Sequence, residues 1–431
     1  MRKPLARKCH AGNRIIRAQG PGAPGGRPLP PLMALLAIGL LAAAVAVPAR
    51  AQERDLVARQ TTFACDLFHE LRDPDQNVVF SPLSAATALT MTYAGARGGT
   101  ELQMGRVLHL GLRQEAVHRE MADLLAALAG RGNDRGQRLL FANALWVQQS
   151  HPILDWYREL LAERYNAELA VQDYGSDPEA ARRAINAWVA AKTEGRIEEL
   201  VARGMIGRLT RLVLTNALYF RGTWAEAFPA HSPPAPFHRL DGRAVEVDLM
   251  HRRGDFDYVE GDGFQLLEIP YRGGDLRLAI FLPTRPDALP ALEARLAPEF
   301  LQQSFERLRR QRVSVYIPKF NARSHFDLAG MLRRLGMPDA FAPEEADFSG
   351  MTGQRNLYLS AVLHAATIAV DERGTEATAA TAVVAREGSA RPIDPRQQIP
   401  VFRADHPFLF LIRERASGAV LFLGHLVDPT G

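Results

Sequence analysis

Twelve histidines and two cysteines are the residues of this 431-residue chain best equipped for chemistry, and their spacing organises none of it. No His-Glu-x-x-His sets two imidazoles on one helix face, no Gly-x-Ser-x-Gly turn presents a serine, and no glycine-rich phosphate loop opens a helix. Cys9 lies in an N-terminal arm expected to be removed, which leaves Cys65. One thiol forms no internal disulfide and no cysteine metal site. Cys65 sits among Phe63, Leu67 and Phe68 at helical spacing and reads as a small core residue. Asp405-His406 supplies two members of a catalytic triad, but nothing supplies the activated nucleophile. Arg253-Gly254-Asp255 reads as a solvated turn, and His364 as a satisfied histidine on a buried strand. The expectation is a protein that is not an enzyme and takes no metal or cofactor.

One stretch is instead suited to being acted upon. From Glu372 to about Pro400 the chain is low in bulk and charge, beginning Glu372-Arg373-Gly374-Thr375-Glu376-Ala377-Thr378-Ala379-Ala380-Thr381. Composition alone leaves three readings open: an Ala-rich helix, a disordered linker, or a bait loop that is cut and then becomes a strand. A strand alternates faces with period two. The set beginning at Thr375 (Thr375, Ala377, Ala379, Thr381, Val383, Ala385) contains no charge and nothing larger than Val. The opposite set carries Glu376 and Arg386.

The bulk charge misleads. An arm rich in Arg and Lys precedes an apolar run from Leu32 to Val47 and then Pro48-Ala49-Arg50-Ala51, the order of a signal peptide. The run is short for a membrane span of about 20 residues. Residues 1–51 are therefore expected to be a signal peptide, with cleavage near Ala51 delivering a secreted or periplasmic protein. Of the 52 Lys+Arg, eight lie in that arm, so 44 remain against 48 Asp+Glu and the mature chain is mildly acidic. No basic stripe suggests nucleic acid.

The elements that must position the loop follow from periodicity. Glu53–Leu71 is helical, and Asn77–Phe80 is a short strand running into a helix headed by Ser81 and Pro82. That helix is apolar nearly all round to Gly95, so it is buried, and Ser81 and Ser84 need partners. Helices are expected at 115–128 and 154–165, a turn at 131–135 and a strand at 138–147. Asp177 caps a helix with Pro178 at its first position. Leu212–Phe220 is apolar on both faces except for Thr215 and Asn216, as in a central strand. Later strands are expected at 244–250, 256–259, 264–270, 276–282, 313–318, 358–370, 408–413 and 419–426, with helices at 288–296, 300–311 and 326–335. Helices crowd the first half and strands the second, an α+β arrangement.

Several strings, in order, resemble the serpins, the serine-protease-inhibitor superfamily, in a bacterial-type exported form. They are Asn77-Val78-Val79-Phe80-Ser81-Pro82-Leu83-Ser84, Ile185-Asn186-Ala187-Trp188-Val189 and Thr215-Asn216-Ala217-Leu218-Tyr219-Phe220-Arg221-Gly222-Thr223-Trp224. Ile317-Pro318-Lys319-Phe320, Ala346-Asp347-Phe348-Ser349-Gly350, Asp405-His406-Pro407-Phe408 and Leu421-Phe422-Leu423-Gly424-His425 follow. The resemblance covers about residues 56–429 and implies a single serpin domain over 52–431. Its fold would pack helices around a large central mixed sheet with smaller sheets, exposing a reactive-centre loop at about 372–400.

The resemblance implies the rest of the functional reading. Ser81, Ser84, Asn216 and His364 would form a polar cluster where the central strands part, and Trp224 would mark the top of that opening. Glu372, Gly374, Thr375, Ala377, Ala379 and Thr381 would be hinge and inserting strand. A protease would cut the loop, the loop would insert, and the enzyme would stay covalently trapped. Roughly a dozen new ladder bonds at a net ~0.5–1.5 kcal/mol each would release roughly 6–18 kcal/mol. The serpin spacing, counted from Glu372 and Gly374, would set the reactive bond at Gly388-Ser389, with Arg386 and Arg391 as alternatives. The partner would be a serine protease, or alternatively a cysteine protease, met by a monomer that binds no nucleic acid or membrane. A non-inhibitory serpin, with a binding or storage role and a loop cut without trapping, is the competing expectation.

Overall fold

The computed structural model describes residues 49–132, 137–375 and 399–431. Helix α1 (Ala49–Leu71) leads through β1 (Val78–Phe80) to α2 (Pro82–Gly95), α3 (Gly98–Val107) and α4 (Gln114–Gly132). Next come β2 (Gln137–Gln148), α5 (Asp155–Tyr165), β3 (Glu168–Gln172), α6 (Pro178–Lys192) and β4 (Leu212–Thr223). Strands β5 (Pro234–His238), β6 (Ala244–Glu260), β7 (Phe264–Pro270) and β8 (Leu276–Pro283) precede α7 (Leu289–Glu293) and α8 (Pro298–Glu306). The chain continues through β9 (Arg309–Pro318), β10 (Phe320–Asp327), α9 (Ala329–Leu335), α10 (Ser349–Thr352) and β11 (Leu359–Val370). It closes with β12 (Gly374–Thr375), β13 (Val401–Arg403), β14 (Phe408–Glu414) and β15 (Val420–Leu426).

Two mixed sheets result. One has six strands in the order β10-β11-β12-β4-β2-β3, and the other runs β1-β15-β14-β8-β7-β6-β9-β13 with β5 added on β6. Helix α2 is buried along its whole length because it packs against β15 of one sheet and β4 of the other. Its start is fixed locally: the Ser81 hydroxyl accepts the Ser84 N–H at 3.2 Å, and Pro82 occupies the first turn, where no N–H is missed. Asp177 caps α6 in the same way through the Ala180 N–H at 2.8 Å.

Four expectations about elements change. Arg253-Gly254-Asp255 is no turn: it lies within β6, paired with Val313 and its neighbours on a β9 that begins at Arg309. A neighbouring strand supplies the backbone partners, and that overrides the local preference of glycine for a turn. Phe326 and Asp327, expected to start a helix, instead end a strand that runs over Phe320–Asp327. Phe320, Ala322 and Ser324 are buried while Asn321, Arg323 and His325 are exposed, a period-two pattern. The helix waits until Ala329, whose N–H is accepted by Asp327 Oδ1 at 3.0 Å. The expected helix at 300–311 also ends early, at Glu306, because its last residues are taken into β9. Residues 1–48 of the expected signal peptide and 133–135 of the expected turn lie outside the described residues, and Arg131 and Gly132, also expected in that turn, end α4 instead.

Candidate functional site

The loop leaves the body through a short turn after β11. Asp371 Oδ1 accepts the N–H groups of Arg373 at 2.7 Å and Gly374 at 3.0 Å, and the Asp371 N–H donates to the Gly374 carbonyl at 2.9 Å. The turn delivers β12 between β11 and β4. Thr375 faces Val370 on one side and Gly222 on the other, antiparallel to both strands. Only glycine fits the first position, since a Cβ on Gly374 would lie 2.0 Å from the Gly222 carbonyl oxygen. Below this wedge β11 and β4 close on each other in parallel, from Leu359 and Leu212 up to Thr367 and Tyr219.

Thr375 is fully buried and shares a 2.7 Å hydrogen bond with the Tyr271 hydroxyl. Burial pushes that phenol upward, so it stays protonated and can donate. The Tyr271 ring stacks on Trp224 at 4.6 Å between centroids. Trp224 in turn donates its indole N–H to the Asp371 carbonyl and its backbone N–H to the Arg373 carbonyl, each at 2.9 Å. One indole therefore holds both the turn and the aromatic wall against which the hinge threonine rests.

Glu372 turns away from the sheet into a clasp. Its Oε1 meets Lys319 Nζ at 2.7 Å and accepts the Ser232 hydroxyl at 2.8 Å, while Lys319 also reaches Asp248 at 3.1 Å. Burial alone would raise the Glu372 carboxyl, but hydrogen bonds from Lys319 and Ser232 outweigh it and hold the group below its ordinary 4.5. A carboxyl lowered by folding stabilises the folded state above its unfolded value and loses that contribution as pH falls through the folded one. Glu372→Gln is therefore expected to cost about 1 kcal/mol at pH 7 and little at pH 3. Thermal unfolding at the two pH values measures it, and an equal cost at both would show that the clasp carries no charge.

A second cluster lies midway down the seam. Registers place His364 of β11, Asn216 of β4 and Asn143 of β2 side by side on neighbouring strands. His364 Nε2 accepts the Ser81 N–H at 3.0 Å, so Nδ1 carries the proton and donates to Asn216 Oδ1. The Asn216 amide donates at 2.5 Å to both Ser84 Oγ and Asn143 Oδ1, and Ser84 Oγ donates to Asn143 at 3.3 Å. His364 is fully buried; desolvation first, with His325 adding to it, lowers the imidazole to about 3, so it is neutral. Four polar side chains and the Ser81 backbone N–H thus bridge the start of helix α2 and the strand pair that a new strand would have to separate.

Ser81, Ser84, Asn216 and His364 are brought together, and Trp224, Glu372, Gly374 and Thr375 gather at the upper end of the same seam. Ala377, Ala379, Thr381, Arg386, Gly388, Ser389 and Arg391 lie outside the described residues. Sequence reasoning missed Asn143, Tyr271 and the Lys319–Ser232 clasp. Asn143 carried a signal, an amide inside the apolar run Leu139–Val147. Lys319 carried another, as one of only two lysines after residue 51. Tyr271 carried none, because its role comes from a pairing across 104 residues.

Residues 58–429 match the family model described as Serpin (serine protease inhibitor). Over 385 residues the chain is 38% identical to the leukocyte elastase inhibitor of Bos taurus, covering 87% of this chain and 99% of that one. Over 381 residues it is 37% identical to an uncharacterised serpin-like protein of Thermococcus kodakarensis, covering 88% and 87%. The structure of uncleaved ovalbumin matches with a TM-score of 0.79 at 28% identity, covering 87% of this chain and 100% of that one.

Proposed function

The chain belongs to the serpin family, and on that premise we propose that it is an exported, monomeric inhibitor that traps a serine protease as a suicide substrate. The observation that carries this reading is the position of Thr375: paired antiparallel to both β11 and β4, above a stretch where those strands pair with each other in parallel. A strand continuing from Thr375 exchanges one parallel ladder for two antiparallel ones, the slightly more stable pattern. Every residue after Thr375 steps one position down β4 from Gly222 and one down β11 from Val370. On that register residue 378 falls between Tyr219 and Thr367, which already face each other. The arm reaches Leu212, the first residue of β4, at Ala385.

That register favours a cut after residue 385, in keeping with Gly388-Ser389 as the reactive bond. Of the arginine alternatives, Arg386 ends an arm that fills the slot, whereas Arg391 precedes Pro392, whose ring crowds the leaving nitrogen. Export rests on the N-terminal pattern, with cleavage near Ala51 falling in the first turn of α1. The test is incubation of the mature chain with trypsin, elastase, chymotrypsin and subtilisin. The expected result is an SDS-stable complex with at least one enzyme and a cleavage site by mass spectrometry between 386 and 391. Clean cleavage by every enzyme, with no complex and no gain in heat stability, sinks the inhibitory reading in favour of a binding or storage serpin.

A further inference from the structure

The connection from α6 to β4 and the edge strand β10 enclose a cleft of about 740 Å³. Its two walls belong to parts of the fold that the proposed insertion must move apart. One wall, residues 195–205, is tied to α6. Asn186 Oδ1 accepts the N–H groups of Leu200 at 3.0 Å and Val201 at 2.8 Å, and Asn186 Nδ2 donates to the Val201 carbonyl at 3.0 Å. Arg182 adds bonds to that carbonyl and to Glu199. Ile197, Leu200 and Val201 of this wall share one buried cluster with residues of all three strands at the seam, among them Ala144 of β2, Val213 of β4 and Leu363 of β11. The other wall, β10, is laced to β11 along its whole length, from Phe320 opposite Val370 to Asp327 opposite Leu363. A strand entering between β4 and β11 carries β10 and β11 away from β4 by one interstrand spacing, about 4.8 Å.

The lining specifies a chemistry. Arg323 is exposed and makes no ion pair with any described residue. His325 shares its exposed face of β10, where partial desolvation by the cleft, together with the Arg323 charge, lowers the imidazole below its ordinary value. Asp327 already accepts the N–H groups of Ala329 and Val362, and Glu199 is held by Arg182. Arg196 and Glu198 complete the charged lining, and the carboxylates of Glu198, Glu199 and Asp327 disfavour a second negative charge on a ligand. Met205 is exposed and Phe326 half-buried, giving an apolar bed above the buried Ile197 and Leu200. The volume falls in the range of small-molecule sites, about 300–1,000 Å³.

We propose that this cleft is a regulatory site for a singly charged amphiphilic anion, with its carboxylate on Arg323 and its apolar tail over Met205 and Phe326. Bound there, the anion ties β10 to the α6–β4 connection and opposes opening of the sheet. The regulatory half rests on the inhibitory reading above. A ligand shifts an equilibrium only by its differential affinity for the two states, and here the closed sheet holds both walls in reach. Occupancy therefore slows insertion, and more protease escapes by completing cleavage.

Octanoate is the probe, with octan-1-ol and octylammonium as controls. Calorimetric titration of the uncleaved protein should show saturable one-to-one binding of octanoate, no binding of octylammonium, and binding about tenfold weaker in Arg323→Ala. At saturating octanoate the fraction of protease trapped should fall in the wild type and stay unchanged in Arg323→Ala. Absence of saturable binding, or equal binding by Arg323→Ala, overturns the site. Binding without loss of trapping overturns its regulatory role. If no protease is trapped even without octanoate, the inhibitory reading fails, while the titration still decides whether the site exists.

Discussion

If the proposed trapping holds, Thr375→Arg is expected to turn an inhibitor into a substrate: the protease trapped by the wild type cleaves the variant at the same bond, no SDS-stable complex forms, and the cleaved product gains no heat stability. The side chain at 375 has no solvent exposure, and its hydroxyl meets Tyr271 against the Trp224 ring. An arginine there must either bury a guanidinium among aromatic rings, at a cost of several kcal/mol, or leave the ladder. Leaving undoes the pairing of residue 375 with Val370 and Gly222, the step from which every later pair follows. Since trapping is a race between insertion and completion of cleavage, slowing the first step by even ~2.7 kcal/mol costs about a hundredfold in partition. Thr375→Ser, which keeps the hydroxyl, is expected to retain trapping. Trapping by Thr375→Arg at the wild-type level would show that the arm does not insert through this slot.

The same threonine shows what could be read from the sequence and what could not. The alternation expected beyond it falls on residues outside those described, but its own burial was legible in a small, uncharged residue. So were Ser81 and Ser84, whose hydroxyls sat in a helix too apolar to be exposed, and Asn216, polar in a strand apolar on both sides. What these residues touch was not legible. His364, Asn216 and Asn143 meet through strand register, and register is a property of three segments, adjacent members of which lie 73 and 148 residues apart. The clasp on Glu372 likewise depends on where Ser232 and Lys319 fall after folding. Local spelling failed where a neighbouring strand supplied the partner, as at Arg253-Gly254-Asp255 and along Phe320–Asp327. Burial patterns constrain single elements, whereas sites built between elements require the pairings.

Replacing His364 by Leu is expected to have the largest effect on the uncut protein. The variant leaves the Ser81 N–H and Asn216 Oδ1 without partners in the core, at about 1–3 kcal/mol each. Chemical denaturation of the uncleaved chain measures the loss. The wild type should also show a pH signature that the variant lacks. The folded imidazole titrates near 3 rather than at its ordinary 6.5, so between those values the unfolded chain binds more protons. This group's contribution is therefore present above about pH 6.5 and is lost as pH falls towards 3. Insertion tests the other half of the cluster's role. On the register that β12 begins, residue 381 falls between Asn216 and His364, breaking their bond and offering the Thr381 hydroxyl to both. Thr381→Val should leave the uncleaved protein unchanged and lower the stability of the cleaved form by about 1–3 kcal/mol, with a smaller loss when His364 is already Leu. Equal losses in both backgrounds would mean that Thr381 never reaches the cluster, and the register set by Thr375 would be wrong below the wedge.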